Sequence, residues 1–136
     1  MSEAPGATRR DAAATVSREL VSLHKQFYGK GPVRAKTFLV DDTVLCVLEG
    51  GFTVVERTLI EVGRAPAVHD IRTSFQAAMR EQFTHVVEAA LNRRVRAYMS
   101  QVHTDPDIAI ELFLLEPAGA GDQPAYAFEL DGTADG

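Results

Sequence analysis

Lys30 stands between Gly29 and Gly31 and is followed by Pro32, with Lys25, Arg34 and Lys36 close by, so four cations fall within twelve residues and no acidic residue lies among them. Glycines let backbone N–H groups turn into one small concavity, and an ammonium beside them makes an anion-binding nest. Gly29, Lys30, Gly31, Arg34 and Lys36 are therefore the candidate site for an anion or an acidic docking partner. The same glycines also serve plain chain reversal, because a left-handed residue followed by proline ends a helix. The spacing is not that of a nucleotide-binding loop, which needs more residues between its glycines and a Ser or Thr after the lysine.

The remaining reactive side chains are scattered. His24, His69, His85 and His103 are the four histidines, and no pair of them has metal-ligand spacing. His103 and Asp105 share a strand face at i and i+2, a possible oriented base, and with His24 they make a candidate polar cluster. No serine sits in a nucleophile elbow. Cys46, the only cysteine, lies in an apolar run and reads as core. It excludes an internal disulfide and fits a reducing compartment. No catalytic residue, metal or cofactor is assigned.

These residues must be held by a chain of 136 residues, 46% hydrophobic, with net charge −5. That length supports one core. The negative balance argues against nucleic acid as a partner. No window approaches the roughly 20 apolar residues that span a bilayer, so a cytoplasmic protein without membrane insertion is expected.

Val16, Leu20, Leu23 and Phe27 recur at the helical period and predict a first helix over 11–28, ended by the glycines. Two β-rich runs, 35–40 and 43–49, flank Asp41-Asp42 as a hairpin. The second, from Val44 to Leu48, is apolar at every position and should be a central strand covered on both faces by helices, a subunit partner or both. Thr53 and Glu56 form a capping-box pattern for a second helix burying Val55, Leu59 and Ile60. A long third helix follows Pro66, its stripe running from Val68 and Ile71 through Phe75 and Phe83 to Leu91. Runs at 94–104 and 108–115 form a second hairpin, with Val95, Ala97 and Met99 turned inward and Tyr98 and Ser100 outward. The expected fold is α+β, a two-layer sandwich in α-β-β-α-α-β-β order with a four-stranded, mainly antiparallel sheet covered by helices. Residues 1–10 are expected to be disordered, 11–116 to form the single domain, and 117–136 to be an acidic tail rich in Gly, Ala and Pro. The surplus of apolar surface predicts a homodimer or higher oligomer.

The order Leu23-His24-Lys25, Tyr28-Gly29-Lys30-Gly31-Pro32, Asp41-Asp42, Gly51-Phe52-Thr53, Glu56, Leu59, Arg72 and His103-Thr104-Asp105 resembles the MpsC-like family. That family is named for a component of a sodium-translocating, membrane-potential-generating system. Phe52 departs from the leucine expected before the threonine. The resemblance implies a small soluble protein, sometimes encoded beside inorganic-carbon or cation uptake systems, with no catalytic residues to carry over. Two readings follow. One is a non-catalytic accessory or regulatory protein that binds a membrane-transport partner or a small anion; the other is a small enzyme using His103, Asp105 and Lys30 at a subunit junction.

Overall fold

The computed structural model describes residues 5–117, and the acidic tail beyond Pro117 lies outside them. The elements are α1 (Pro5–Tyr28), β1 (Arg34–Val40), β2 (Thr43–Glu49), α2 (Val54–Glu61), α3 (Ala65–Leu91), β3 (Val95–His103) and β4 (Ile108–Leu115). Both hairpins and the expected order are present. α1 begins at Pro5, six residues before the expected Asp11, because a first-turn proline and the Ala12-Ala13-Ala14 run favour helix.

The sheet is antiparallel, in the order β1-β2-β4-β3, so β2 is central as its composition predicts. Asp41 takes φ 56° in the two-residue turn between β1 and β2, a left-handed conformation that short hairpins need. The register sorts side chains into two faces. One face carries Leu39, Val44, Phe113 and Tyr98 in one cross-sheet row and Thr37, Cys46, Glu111 and Ser100 in the next. This face packs on Val16 and Leu20 of α1 and on Met79, Phe83 and Val87 of α3. A satellite cluster of Phe52, Val68 and Val102, with Leu59 and Ile60, seats α2 on the same side.

Expected burials differ on four elements. β3 carries a bulge: Val95 pairs with Leu115 and Ala97 with Leu114, leaving Arg96 without a partner. One extra residue reverses the parity of the strand beyond it. Tyr98 and Val102 therefore turn inward, and Met99 is 49% exposed. On α1 the buried positions Ala12, Val16, Leu20 and His24 step by four and drift around the helix, so that Tyr28 continues the stripe and Phe27 is exposed. On α2 Val55 is exposed and Glu56 is buried, and on α3 Ile71 is exposed and Arg72 is buried. A pairing between these two charged residues orients both helices.

The second sheet face meets no helix among the described residues. Its rows are Arg34, Glu49, Ile108 and His103; Lys36, Val47, Ile110 and Gln101; Phe38, Leu45, Leu112 and Met99; and Val40, Thr43, Leu114 and Ala97. Helices thus cover one face of the central strand, burying Val44, Cys46 and Leu48 and leaving Leu45 and Val47 half-buried.

Candidate functional site

The link from α1 to β1 is built by its two glycines in different ways. Gly29 has φ 87° and donates its N–H to the Lys25 carbonyl at 3.0 Å, closing the helix with a left-handed residue. Gly31 does not need a positive φ. A Cβ there would meet the Val21 carbonyl oxygen at 3.2 Å and the Lys25 Cβ at 3.3 Å, so the glycine permits close approach to α1. The Lys30 ammonium donates to the Gly50 carbonyl at 2.8 Å and the Gly31 carbonyl at 3.4 Å. Gly50 in turn donates its N–H to the Asp107 carbonyl at 3.0 Å, and the Asp107 carboxylate accepts from the Phe52 N–H at 2.9 Å. Lys30 is thus a pin joining three chain reversals at one end of the sheet.

Arg34 and Lys36 lie farther along, on edge strand β1. The Arg34 side chain is 72% exposed and only 3.9 Å from the Glu49 carboxylate, while the Lys36 ammonium sits 5.1 Å from the centre of the Phe38 ring. Both line a groove of about 580 Å³ between β1 and α1, to which α1 adds Arg10 and Arg18. Among the described residues no acidic side chain lines it. Arg10 and Arg18 belong to α1, whereas the register of β1 turns the Arg34 and Lys36 side chains toward the opposite sheet face, beside Glu49 and Phe38, so the four cations follow one edge of the molecule rather than converge in the groove. Like charges along one edge add to a positive local potential. Arg10 falls in the stretch 1–10 expected to be disordered, and Arg18 lies on the first helix outside its apolar stripe, so neither joins the candidate site on sequence alone. Their spacing of eight residues, about two helical turns, was the available signal.

Beside this groove lies a buried ionic clasp. Glu56 Oε1 accepts from the Thr53 N–H at 2.9 Å and the Thr53 hydroxyl at 3.2 Å, and the Thr53 hydroxyl accepts the Glu56 N–H at 3.1 Å, completing the capping box. The same carboxylate accepts both arms of Arg72, at 2.6 and 2.7 Å, and the Tyr28 hydroxyl at 2.8 Å. Arg72 also donates to the Gly51 carbonyl at 2.9 Å, with its guanidinium 4.0 Å from the Tyr28 ring centre and 5.1 Å from that of Phe52. Burial raises the Glu56 pKa, but Arg72, the Thr53 backbone and Tyr28 outweigh it and hold the carboxyl below its ordinary range. Burial and the Glu56 hydrogen bond raise that of Tyr28. A cation on the apolar stripe of α3 was the sequence signal that a buried partner exists.

A second buried group continues from it through Tyr28, Phe75 and His24, whose rings are in contact. His24 Nδ1 lies 2.7 Å from the Leu20 carbonyl, which only accepts, so Nδ1 carries the proton and Nε2 faces Glu111 at 3.8 Å. Tyr98 donates to Glu111 at 2.6 Å. Burial pushes the Glu111 carboxyl up to about 7, against smaller opposing effects of Tyr98, Ser100 and Arg72. It also pushes the His24 imidazole down, the Leu20 carbonyl opposing and Arg72 assisting. Glu111 is the lone charge inside the apolar run of β4, which marks it in the sequence.

The expected polar cluster is divided. His24 is buried against Glu111, whereas His103 and Asp105 lie exposed at the β3–β4 reversal, with His103 Nδ1 2.9 Å from the Pro106 carbonyl. His103 is three residues along β3 from Ser100, the partner of Glu111, about 10 Å away. No three His, Cys, Asp or Glu side chains gather as metal ligands among the described residues. No described helix is long and apolar enough to cross a membrane.

Comparison with curated proteins finds no match, and neither does comparison with solved structures. The family model described as "Na+-translocating membrane potential-generating system (MpsC)" matches residues 8–117, which span every strand, α2, α3 and nearly all of α1. The helix-ending glycines, the capping box and the Arg72 clasp all fall inside that match, and the chain belongs to the MpsC family.

Proposed function

We propose that this protein is a non-catalytic accessory or regulatory component of a membrane ion- or inorganic-carbon-transport system, acting in the cytoplasm as a homodimer. It binds an acidic partner surface or a small anion around Gly29, Lys30, Gly31, Arg34 and Lys36. The observation that carries this reading is the basic edge where α1 meets β1: Arg10, Arg18, Arg34 and Lys36 line one groove with no acidic side chain among its described lining residues, in a chain of net charge −5. Lys30 contributes by fixing the rim, since its ammonium is directed at the Gly50 carbonyl. The family description supports the transport setting. The alternative of an enzyme built on Lys30, His103 and Asp105 draws no support from the contacts of Lys30 and His103, which are directed at backbone carbonyls.

Thermal shift with sulfate, phosphate, bicarbonate and nucleotides at constant ionic strength tests the anion arm of the proposal. A ligand at a hundred times its Kd stabilises the native state by about 2.7 kcal/mol. At least one anion is expected to raise the Tm of the wild type and to lose that effect in Arg34→Ala/Lys36→Ala. Equal responses of the two proteins to every anion would remove this arm.

A further inference from the structure

The sheet face turned away from the helices is a lattice of four positions on each of four strands, and ten of the sixteen are apolar. At its edges Phe38 is 40%, Val40 39% and Met99 49% exposed. Natural sheets with one wet face alternate apolar-in and polar-out. β2 and β4 do not alternate here: Leu45 and Val47, and Ile108, Ile110, Leu112 and Leu114, all point away from the core. We infer that this face is the surface through which two copies of the chain pack sheet against sheet, related by a two-fold axis parallel to the strands between β2 and β4. The inference rests on the homodimer reading above and specifies its surface.

Self-complementarity argues for a second copy. The axis sets β1 over the partner's β3 and β2 over the partner's β4, with equal rows matched. Lys36 then meets Gln101 of the partner, Phe38 meets Met99, Leu45 meets Leu112 and Val47 meets Ile110. Apolar meets apolar through the middle, an aromatic ring meets a thioether, and the one cation in these two rows meets a neutral amide. Arg34, Glu49 and His103 gather in the terminal row, at a wet rim. A face with charges along one border is ill suited to lipid.

The size agrees. Strands about 4.8 Å apart and seven residues at about 3.3 Å each give a footprint of roughly 440 Å² per copy. Two such footprints come to roughly 880 Å² before side-chain relief is added, close to the floor of about 1,000 Å² for a specific interface and below the usual 1,200–2,000 Å², as for a weak dimer. Aligned sheets pack about 10 Å apart with interdigitating side chains, which these residue types can fill.

Sedimentation of the full chain, wild type and Leu45→Lys or Leu112→Lys, tests the surface. The wild type is expected to sediment as a dimer at tens of micromolar, and both variants as folded monomers with wild-type circular dichroism. Orientation is read independently with a short bis-maleimide on conservative surface variants. Phe38→Cys/Met99→Cys is expected to give covalent dimers, and Phe38→Cys/Lys36→Cys to give few. Cys46 does not compete, being buried, with a thiol pushed up to about 11 by that burial. A wild type that is monomeric throughout would overturn both this inference and the homodimer reading. A dimer that survives both lysine variants would overturn the surface and leave the homodimer standing. A monomer that floats with phosphatidylcholine vesicles would assign the face to lipid and overturn the inference.

Discussion

Replacing Arg72 by leucine removes the only cation among the described residues that bonds the Glu56 carboxylate, which is 2% exposed. The guanidinium makes bonds of 2.6 and 2.7 Å to Glu56 and one of 2.9 Å to Gly51, and fills the space between the Tyr28 and Phe52 rings. Breaking a buried pair from one side costs about 3–5 kcal/mol, because the surviving charge keeps its desolvation penalty. A domain of this size has roughly 5–15 kcal/mol in total, and about 4 °C of Tm accompanies each kcal/mol. A fall of about 12–20 °C is therefore expected at pH 7. The pH dependence carries a second signature. In the wild type the Glu56 pKa is depressed, so its contribution is present above the unfolded value and lost as pH falls through the folded one. Without Arg72, burial dominates, the carboxyl rises, and the variant's deficit narrows as acid protonates it. Glu56→Leu/Arg72→Leu should lose less than the sum of the single variants, since no unpaired charge remains. Urea unfolding of the four proteins from pH 4 to pH 8 measures this cycle. A deficit for Arg72→Leu under 1 kcal/mol, or strict additivity, would refute the reasoning.

Glu111 gives the opposite pH behaviour. Its folded pKa, about 7, lies above its ordinary 4.5, so its contribution is fully present below about pH 4.5 and is lost as pH rises to 7. The stability of the wild type relative to Glu111→Gln should fall by about 3 kcal/mol over that interval, at 1.36 kcal/mol per pH unit. The lowered pKa of His24 acts with the other sign in both proteins and largely cancels from the difference, which chemical denaturation across pH reads directly. Lys30→Met should cost about 1–3 kcal/mol, the scale of a hydrogen bond to a charged group, because the Gly50 carbonyl loses its donor. Hydrogen exchange should then show faster opening at the Gly50 and Phe52 amides, and unchanged exchange there would count against the pin.

What the sequence by itself determined is what short stretches decide. The Asp41-Asp42 reversal, the Thr53–Glu56 capping box, the Gly29 helix end and the apolar run of β2 each depend on neighbours within a few residues, and each was legible with its element. Tertiary structure decided which partners meet. The bulge at Arg96 reversed the parity of β3 because pairing with β4 sets where an extra residue sits, and no pattern within β3 records that. Glu56 reads as a cap alone until α3 brings Arg72 to it, and His24, expected in a polar cluster with His103 and Asp105, is instead buried beside Glu111 where α1 lies over the sheet. The basic groove likewise exists only where α1 runs beside β1, joining Arg10 and Arg18 to Arg34 and Lys36. Local propensity selects elements at a cost of tenths of a kcal/mol per residue, whereas a buried charge carries several, so the long-range pairing of charges settled how the helices turn.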